Sequence, residues 1–453
     1  MELDNIKKVY FIGIKGAGMA ALAEVFLKMG KKVTGSDVKE KFFTDRILQN
    51  LGLKVYEGFS AENIIKENPE MIVYSTAYNN ANNEEVRFAL AQNSEVISYP
   101  EMLGKLMKNK YGLAVCGTHG KTTTTAMLAL AMKEAGSDPT AIVGAKINQI
   151  GSNALVGRSQ YFLLEADEYQ NKFKHYDPIG VVLTSLDFDH PDFFKDFNEY
   201  KEAFKDFVRK IPRHGFLAAF GGDADVIEVA YEARCKLILY DARGHFETKE
   251  DGYLKMKNVE YVEAPTGLNL KVSGDHNIQN ATGAYAVCRQ LKLNENKVLK
   301  ALNAYQGTAR RMEFIGSRNG AKIIDDYAHH PQEIKATLKA VRQKYSHKNI
   351  ICVFQPHTFS RTKSLFSDFS QSFSGCDEVY IMDIFGSARE KQGGISSVDL
   401  VREIKKYKPK ADYVGNLQNA YDFLKDKIGE KDLLIILGAG EGDKLAGRLV
   451  KKE

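Results

Sequence analysis

The run Gly117-Thr118-His119-Gly120-Lys121-Thr122 has the composition of a loop that binds phosphate. Its two glycines allow the backbone to curl with N–H groups pointing at an anion, and the lysine supplies a positive charge for the outer phosphates of a nucleotide. The hydroxyl of Thr122 is the kind of ligand that holds Mg²⁺ beside such a loop. Val115 stands where the common eight-residue motif has glycine. The alternative interpretation is a glycine turn before a threonine-rich helix start.

Acidic side chains follow the next two apolar stretches along the chain. Tyr161–Glu165 ends in an acid, and Gly180–Ser185 leads to Asp189 and His190. Parallel strands end at one edge of a sheet, where carboxylates can gather around the metal of a bound nucleotide. We therefore predict that Glu165 and His190 are metal ligands. The alternative is that the acids cap the helices that follow.

A second glycine turn lies near the start of the chain. Gly16-Ala17-Gly18-Met19 separates an apolar stretch, Lys8–Ile14, from an alanine-rich helix, Ala20–Met29. With Asp37 placed where a ribose-binding acid would fall, the spacing approximates a dinucleotide fingerprint. It favours a diphosphate ligand other than NAD(P), with NAD(P) as the alternative. Ser75, at the end of a further predicted strand, adds a small polar group at the same edge.

Polar side chains also follow predicted strands in the last third. His329, His357 and Arg361 all fall at carboxyl ends of strands, and Arg361 could hold a carboxylate through two parallel hydrogen bonds. The alternative is two structural histidines and a surface arginine. In the middle third, Asn280 offers both the donor and the acceptor that the edge of an adenine ring requires.

The elements that position these residues alternate between strand and helix, which predicts an α/β fold. The chain has 453 residues, too many for one ordinary core. We predict three domains: a Rossmann-like N-terminal domain over 1–109, a central P-loop-type ATPase domain with a mainly parallel sheet over 110–309, and a Rossmann-like C-terminal domain over 310–453. Lys105–Gly112 is the predicted linker between the first two.

Composition excludes several classes of protein. The net charge is +5, from 63 basic and 58 acidic residues, which is too balanced to argue for nucleic acid or an anionic membrane as partner. Five widely spaced cysteines without any CxxC predict reduced thiols in a cytoplasmic protein. No apolar stretch is long enough for a membrane span, and the N-terminus lacks a cleavable signal pattern.

Taken together and in order, these residues resemble the Mur ligase family, whose members form amide bonds at the expense of ATP. The resemblance covers essentially the whole chain. Its motifs are Gly13–Met19, Gly117–Thr125, Glu165–Glu168, Asp189-His190, His276-Asn277 with Asn280, Arg310-Arg311, Asp325–Pro331, Phe354–His357 with Arg361-Thr362, Asp383–Glu390 and Gly438–Gly440.

The resemblance implies one domain each for a UDP-sugar, ATP and an amino acid. It implies the substrates UDP-N-acetylmuramate, ATP and L-alanine, two Mg²⁺ ions with Mn²⁺ as an alternative, and a monomer or homodimer. By position it assigns to the UDP-sugar Gly16, Ala17, Gly18, Met19, Asp37 and Ser75. It assigns to ATP Gly117, Thr118, His119, Gly120, Lys121, Thr122, Thr123, Asn280, Arg311 and Asp326. It assigns to the metal Thr122, Glu165 and His190, and to the amino acid Tyr327, His329, His357 and Arg361. The implied catalytic residues are Lys121, Glu165, His190 and His329, the last as acceptor of the amine proton.

One stretch departs from the alanine-adding branch of the family. Tyr169-Gln170-Asn171-Lys172 and the lysine- and histidine-containing string after it look more like the branch that attaches a recycled tripeptide, L-Ala-γ-D-Glu-meso-diaminopimelate. The C-terminal motifs, Phe354–His357 and Asp383–Gly386, look like the alanine-adding branch instead. Because that domain chooses the incoming amine, we favour alanine. An NAD(P)-dependent oxidoreductase, a mechanical P-loop NTPase and a non-catalytic UDP-sugar module are the alternatives from other classes.

Overall fold

The computed structural model of the protein describes residues 3–92, 95–241, 259–386 and 393–450. They form two compact units. The first takes its residues from Met1–Ser185, Ala203–Leu268 and Asn280–Ala304, and the second takes them from Leu186–Glu202, Asn269–Gln279 and Tyr305–Glu453. Each unit is described by itself below.

The first unit begins with a five-stranded parallel sheet in the order β3-β2-β1-β4-β5. Since β1 lies between β2 and β4, the strand order reverses beside β1, and ligands bind at such a reversal in open parallel sheets. The strands are β1 Lys8–Ile12, β2 Lys32–Asp37, β3 Lys54–Glu57, β4 Met71–Tyr74 and β5 Glu95–Ser98, and the helices are α1 Ala17–Lys28, α2 Phe43–Asn50, α3 Ala61–Glu67, α4 Glu84–Leu90 and α5 Tyr99–Met107.

The first unit also contains an eight-stranded sheet in the order β13-β12-β11-β10-β6-β9-β7-β8. Its pairs are parallel except for β7 with β8. The strands are β6 Tyr111–Cys116, β7 Thr140–Ile147, β8 Ser152–Leu155, β9 Tyr161–Glu165, β10 Gly180–Leu183, β11 Phe216–Phe220, β12 Lys236–Asp241 and β13 Val259–Glu263. The helices of this part of the chain are α6 Lys121–Glu134, α7 Phe197–Arg209, α8 Ala224–Ala230, α9 Asp275–Gln290 and α10 Glu295–Ala304, and Tyr169–His175 forms a 3-10 helix.

The second unit is built on a six-stranded sheet in the order β14-β15-β19-β16-β17-β18, parallel except for the β14–β15 pair. The central strand β19 is apolar and fully buried from Leu433 to Leu437, as expected for a parallel strand covered on both faces. The strands are β14 Glu313–Arg318, β15 Ala321–Asp326, β16 Asn349–Phe354, β17 Glu378–Met382, β18 Ala411–Gly415 and β19 Asp432–Leu437, and the helices are α11 Pro331–Lys344, α12 Phe359–Ser364, α13 Phe366–Ser370, α14 Ser397–Ile404, α15 Leu417–Leu424 and α16 Gly442–Val450.

Helix α1 joins the two sheets of the first unit. The side chain of Asn153, on β8, donates to the carbonyl oxygen of Ala17 at 2.6 Å and to that of Val143, on β7, at 3.3 Å. The hydroxyl of Ser152 donates to the buried carboxylate of Glu24, on the same helix. The glycine turn before α1 is therefore held against the sheet that carries the phosphate loop.

The three sheets confirm the predicted α/β class with mainly parallel sheets. Each sheet falls inside one of the predicted domains 1–109, 110–309 and 310–453, whose boundaries stay a prediction. No helix in the described part of the chain has the length and apolar character needed to cross a membrane. Residues 387–390 of the Asp383–Glu390 motif lie outside the described residues.

The predicted linker Lys105–Gly112 is wrong over most of its length. Helix α5 covers Tyr99–Met107 and β6 begins at Tyr111, so only residues 108–110 connect them. Ser98 and Glu101 form a capping box and Pro100 stands in the first turn, and both features favour the start of a helix here.

Candidate active site

The predicted phosphate loop lies between β6 and α6. Gly117 and Gly120 have φ angles of +128° and +81°, which glycine adopts without strain. The N–H of Thr118 donates to the carbonyl oxygen of Ser185 at 2.9 Å, and the N–H of His119 donates to the Ser185 hydroxyl at 2.9 Å. These bonds fix the path of the loop, and they come from the residues that follow the neighbouring strand β10.

Asn280 supports the loop from another side. A Cβ at Gly120 would lie 2.4 Å from Asn280 Oδ1, so a larger residue would not fit there. The same oxygen accepts a hydrogen bond from Thr124 Oγ1 at 3.1 Å. Asn280 therefore bonds to the first turn of α6 through its oxygen and lies close against the loop at Gly120. Its predicted contact with adenine stays a prediction.

Lys121 is the first residue of α6, and its side chain turns back over the loop. Nζ donates to the carbonyl oxygens of Gly117 and Thr118, the second at 3.1 Å. It also lies 3.4 Å from Glu168 Oε2, on a side chain that is only 1% exposed. The phosphates of a nucleotide would compete with these partners for the ammonium group, as the sequence predicts for this lysine.

Thr122 and Glu165 meet at the end of the loop. Thr122 Oγ1 donates to Glu165 Oε1 at 2.7 Å, and the N–H of Gly144 donates to Glu165 Oε2 at 2.7 Å. A hydroxyl and a carboxylate are the oxygen ligands that Mg²⁺ prefers. Because Thr122 Oγ1 and Glu165 Oε1 already lie at hydrogen-bond distance from each other, the two oxygens fit as ligands of a magnesium ion bound with nucleotide.

The predicted diphosphate turn lies where the first sheet reverses its strand order. Gly16 is the residue before α1, and Ala17-Gly18-Met19 form the first turn of that helix, three residues earlier than predicted. Asp37 ends β2 and accepts from the N–H of Lys15 at 2.6 Å, so this acid shapes the turn itself. Ser75 directly follows β4. The structure thus brings all the predicted UDP-sugar residues to one edge.

In the second unit, Asp326 braces the segment that precedes the sheet. One carboxylate oxygen accepts from the N–H of Met312 at 2.8 Å, and the other accepts from the N–H of Ala328 at 2.8 Å. Burial raises the pKa of this buried acid, and the charge of Arg311 opposes that rise. Arg311 Nη1 lies 3.6 Å from Glu333 Oε1, and its guanidinium lies beside the ring of Tyr327. Contact of Asp326 and Arg311 with ATP stays a prediction.

His329 packs against Tyr327 and His357, with ring centres 5.2 Å and 6.2 Å apart. Its Nδ1 lies 3.0 Å from the carbonyl oxygen of Tyr327 and 3.3 Å from Glu333 Oε2. Both are acceptors, so Nδ1 carries the hydrogen and Nε2 the lone pair. Burial lowers the pKa of His329 to about 3, which keeps the ring neutral. A base this weak is poorly suited to keep a proton from an amine.

Arg361 is paired with Asp189 in the second unit. Its Nε donates to Asp189 Oδ1 at 2.8 Å, its Nη2 lies 2.8 Å from the same oxygen, and its Nη1 lies 3.1 Å from His357 Nδ1. Both partners are buried. Burial alone would raise the pKa of Asp189, but the guanidinium holds it well below its usual range. The carboxylate that Arg361 holds in this structure is therefore that of Asp189.

His190 belongs to the second unit, where its N–H donates to Asp189 Oδ1 at 2.7 Å. Thr122 and Glu165 belong to the first unit. The structure thus joins two of the three predicted metal ligands within one unit. The role of His190 at a metal stays a prediction.

Sequence reasoning missed several partners of the predicted residues. Ser185 was assigned only to a strand, although a polar residue at a strand end beside a phosphate loop is a usable signal. Glu168 and Glu333 were not connected to Lys121 and His329. Asp189 lies 172 residues from its partner Arg361, and no local sequence pattern predicts that pair.

Comparison with known proteins gives matches along the whole chain. Three sequence profiles match: the catalytic domain of the Mur ligase family over residues 8–111, the Mur ligase middle domain over 115–288, and the Mur ligase glutamate ligase domain over 310–440. The UDP-N-acetylmuramate–L-alanine ligase of Desulfitobacterium hafniense (strain Y51) is 41% identical, with 98% of this chain and 99% of that protein covered. The corresponding ligase of Clostridium acetobutylicum is 39% identical, with 100% and 99% covered.

Solved structures show the same fold. A UDP-N-acetylmuramate–alanine ligase from Thermotoga maritima superposes with a TM-score of 0.78 at 24% identity, covering 98% of both chains. A murein peptide ligase from Psychrobacter arcticus gives a TM-score of 0.72 at 22% identity, again with 98% of both chains covered. At these identities the likeness concerns the fold.

His276, near the start of α9, should make the second unit sensitive to acid. Burial lowers its pKa to about 4, and the charge of Arg311 acts in the same direction. Below about pH 6.5 the unfolded chain binds a proton there that the folded chain does not, so stability falls by up to about 1.4 kcal/mol per pH unit between pH 6.5 and 4. Urea unfolding of His276→Gln across this range should show a flatter dependence. If the pH dependence of the unfolding free energy were the same in the variant, His276 would not be the source of the acid sensitivity.

The Asp189–Arg361 pair gives a second prediction. Asp189→Asn leaves a buried guanidinium without its counter-charge and should cost about 3–5 kcal/mol in unfolding free energy. The double variant Asp189→Leu with Arg361→Met removes both charges and should recover most of that loss. Equal losses in the single and double variants would mean that the charge pairing is not the cause.

Proposed function

The chain belongs to the Mur ligase family, and on this basis we propose that it joins L-alanine to the lactyl carboxylate of UDP-N-acetylmuramate, converting ATP to ADP and phosphate. This reaction supplies a precursor of peptidoglycan. The observation that carries the proposal is the contact of Thr122 with Glu165 beside Lys121, since this set suits a metal–nucleotide complex. The names of relatives about 40% identical over the full chain support the two other substrates.

In the first step, an oxygen of the lactyl carboxylate attacks the γ-phosphorus of ATP, and the bond from that phosphorus to ADP breaks. An acyl phosphate results. Lys121 and the N–H groups of the loop from Gly117 to Gly120 stabilise the charge on the transferred phosphoryl group. Mg²⁺ would neutralise phosphate charge, and we propose two ions held by Thr122, Glu165 and His190, with Mn²⁺ able to replace them.

In the second step, the amine of alanine attacks the acyl carbon, a C–N bond forms, and phosphate leaves as its bond to that carbon breaks. We assign alanine to Tyr327, His329, His357 and Arg361 in the second unit. His329 accepts a hydrogen bond from the amine at Nε2 and is the proposed acceptor of its proton. Its lowered pKa favours passing that proton on over keeping it.

The remaining assignments follow from the same proposal. Residues 1–109 bind the UDP-sugar, 110–309 bind ATP and 310–453 bind the amino acid. Asn280, Arg311 and Asp326 contact ATP, whereas Gly16–Met19, Asp37 and Ser75 contact the UDP-sugar. We propose a cytoplasmic enzyme that acts as a monomer or homodimer on small-molecule substrates.

The alternatives drawn from the sequence receive less support. The tripeptide-attaching ligase rests on the Tyr169–Lys172 stretch, whereas the relatives reported above are named for L-alanine. An NAD(P)-dependent oxidoreductase would leave the phosphate loop and Glu165 without a role.

Phosphate release from ATP tests the reaction. With UDP-N-acetylmuramate and Mg²⁺ present, we expect turnover with L-alanine and at least 100-fold lower kcat/KM with the tripeptide, a difference on the order of 3 kcal/mol. Turnover with the tripeptide alone would replace the proposed acceptor. Turnover with neither would reject the ligase function.

Lys121→Ala tests the activating step. Removal of its charge should lower kcat at least 100-fold, while UDP-N-acetylmuramate still binds with unchanged Kd in calorimetry. Lys133→Ala, on the exposed surface of the same helix, is the control and should retain activity. Full activity in Lys121→Ala would exclude the lysine from the phosphoryl transfer.

A further inference from the structure

Tyr99, the first residue of α5, lies directly against the predicted diphosphate turn. A Cβ built on Gly18 would lie 2.2 Å from the Tyr99 hydroxyl oxygen and 2.5 Å from Cζ. Any side chain at Gly18 would therefore push the phenol away. Sequence reasoning assigned Tyr99 to no function, because it lies 81 positions from the turn, just before the predicted linker.

The hydroxyl of Tyr99 has no hydrogen-bond partner among residues 3–92, 95–241, 259–386 and 393–450. Two tyrosines of the same unit have acidic partners: Tyr10 donates to Glu85 at 3.0 Å, and Tyr78 donates to Asp37 at 3.4 Å. A phenol hydroxyl forms a hydrogen bond with the protein, with a bound molecule or, where it reaches solvent, with water. At Tyr99 that partner would have to come from a bound molecule or from water.

The first turn of α1 offers further donors beside this hydroxyl. The first hydrogen bond within the helix runs from the N–H of Ala20 to the carbonyl oxygen of Gly16, at 2.8 Å. The N–H groups of Ala17, Gly18 and Met19 therefore have no acceptor within the helix. These groups and the phenol lie together at the N-terminal end of α1, where an anion is favoured.

The phenol is also the right kind of donor for its surroundings. Burial and the nearby carboxylates of Glu165 and Asp167 raise the pKa of Tyr99 well above its ordinary value, so the group keeps its hydrogen. Those carboxylates repel an anion bound at the turn. A neutral donor beside the turn can bond to an anion without adding a counter-charge that has to be buried.

We propose that Tyr99 donates a hydrogen bond to the diphosphate of the bound sugar nucleotide and so helps to position it. This inference rests on the proposed function, because that function supplies the sugar nucleotide. Gly18 then has two tasks: its N–H faces the diphosphate, and its missing side chain admits the phenol. Tyr99 belongs to the helix that leads into β6, so it also connects the UDP-sugar turn to the strand before the phosphate loop.

Tyr99→Phe is the direct test, since the ring that packs on Gly18 remains and only the hydroxyl is lost. Calorimetry with UDP and with UDP-N-acetylmuramate should give a Kd raised about tenfold for both, the loss expected for one hydrogen bond to a charged group. The KM for ATP and for L-alanine should not change. Because the hydroxyl bonds to no described residue, the thermal unfolding midpoint should also stay the same.

Tyr111→Phe is the matched control. Tyr111 is another half-buried phenol of the first unit, packed against Tyr161. Removal of the Tyr111 hydroxyl should leave the Kd values for UDP and for UDP-N-acetylmuramate unchanged.

Three results would overturn the inference. An unchanged Kd for both ligands in Tyr99→Phe would show that the hydroxyl does not touch the ligand. A loss for UDP-N-acetylmuramate with none for UDP would move the contact from the diphosphate to the sugar. A lowered unfolding midpoint with unchanged Kd would make the hydroxyl structural. Failure of the unaltered protein to bind either ligand would instead reject the proposed function, which separates the two questions.

Discussion

The register between β6 and β9 sets the position of Glu165 relative to the phosphate loop of the first unit. Val115 pairs with Glu165 across these parallel strands, so the acid arrives beside the strand that leads into the phosphate loop. The apolar residues of both strands are buried, which holds them in this register. A slip by one residue would turn Glu165 to the other face of the sheet and break its contact with Thr122. Core packing thus determines the position of Glu165, the proposed metal ligand.

The second unit depends in the same way on the pairing of Arg361 with Asp189. The two charges are buried, so each would be costly without the other. Through Asp189, the pair connects 186–202, a segment from the middle of the chain, to the unit built on the C-terminal sheet. His330 adds a contact of its own, with Nε2 lying 3.2 Å from the carbonyl oxygen of Phe188. As a result, His190 is positioned by the C-terminal sheet, although it follows a strand of the central one.

The sequence allowed the elements with strong local signals to be predicted. The bounds of β9 agree with the predicted stretch Tyr161–Glu165, because a buried parallel strand leaves an unbroken apolar stretch in the sequence. Helix α5 was missed because its last residues fall in the predicted linker Lys105–Gly112, although Pro100 fits the first turn of a helix. The site residues at strand ends could be predicted because parallel strands share an edge. Contacts such as Arg361 with Asp189 could not, since they depend on how distant segments pack.

Burial gives the candidate site residues of the two units different electrostatic surroundings. In the first unit, a charged lysine is surrounded by carbonyl oxygens and an acid, which an incoming phosphate must replace. In the second, burial keeps His329 neutral, and its Nδ1 is already directed at acceptors. A neutral Nε2 attracts the N–H of an amine, whereas an imidazolium would repel an ammonium group. The environment of Lys121 in the first unit is therefore suited to stabilise charge that develops during phosphoryl transfer. The environment of His329 in the second unit is suited to hold an uncharged nucleophile in place.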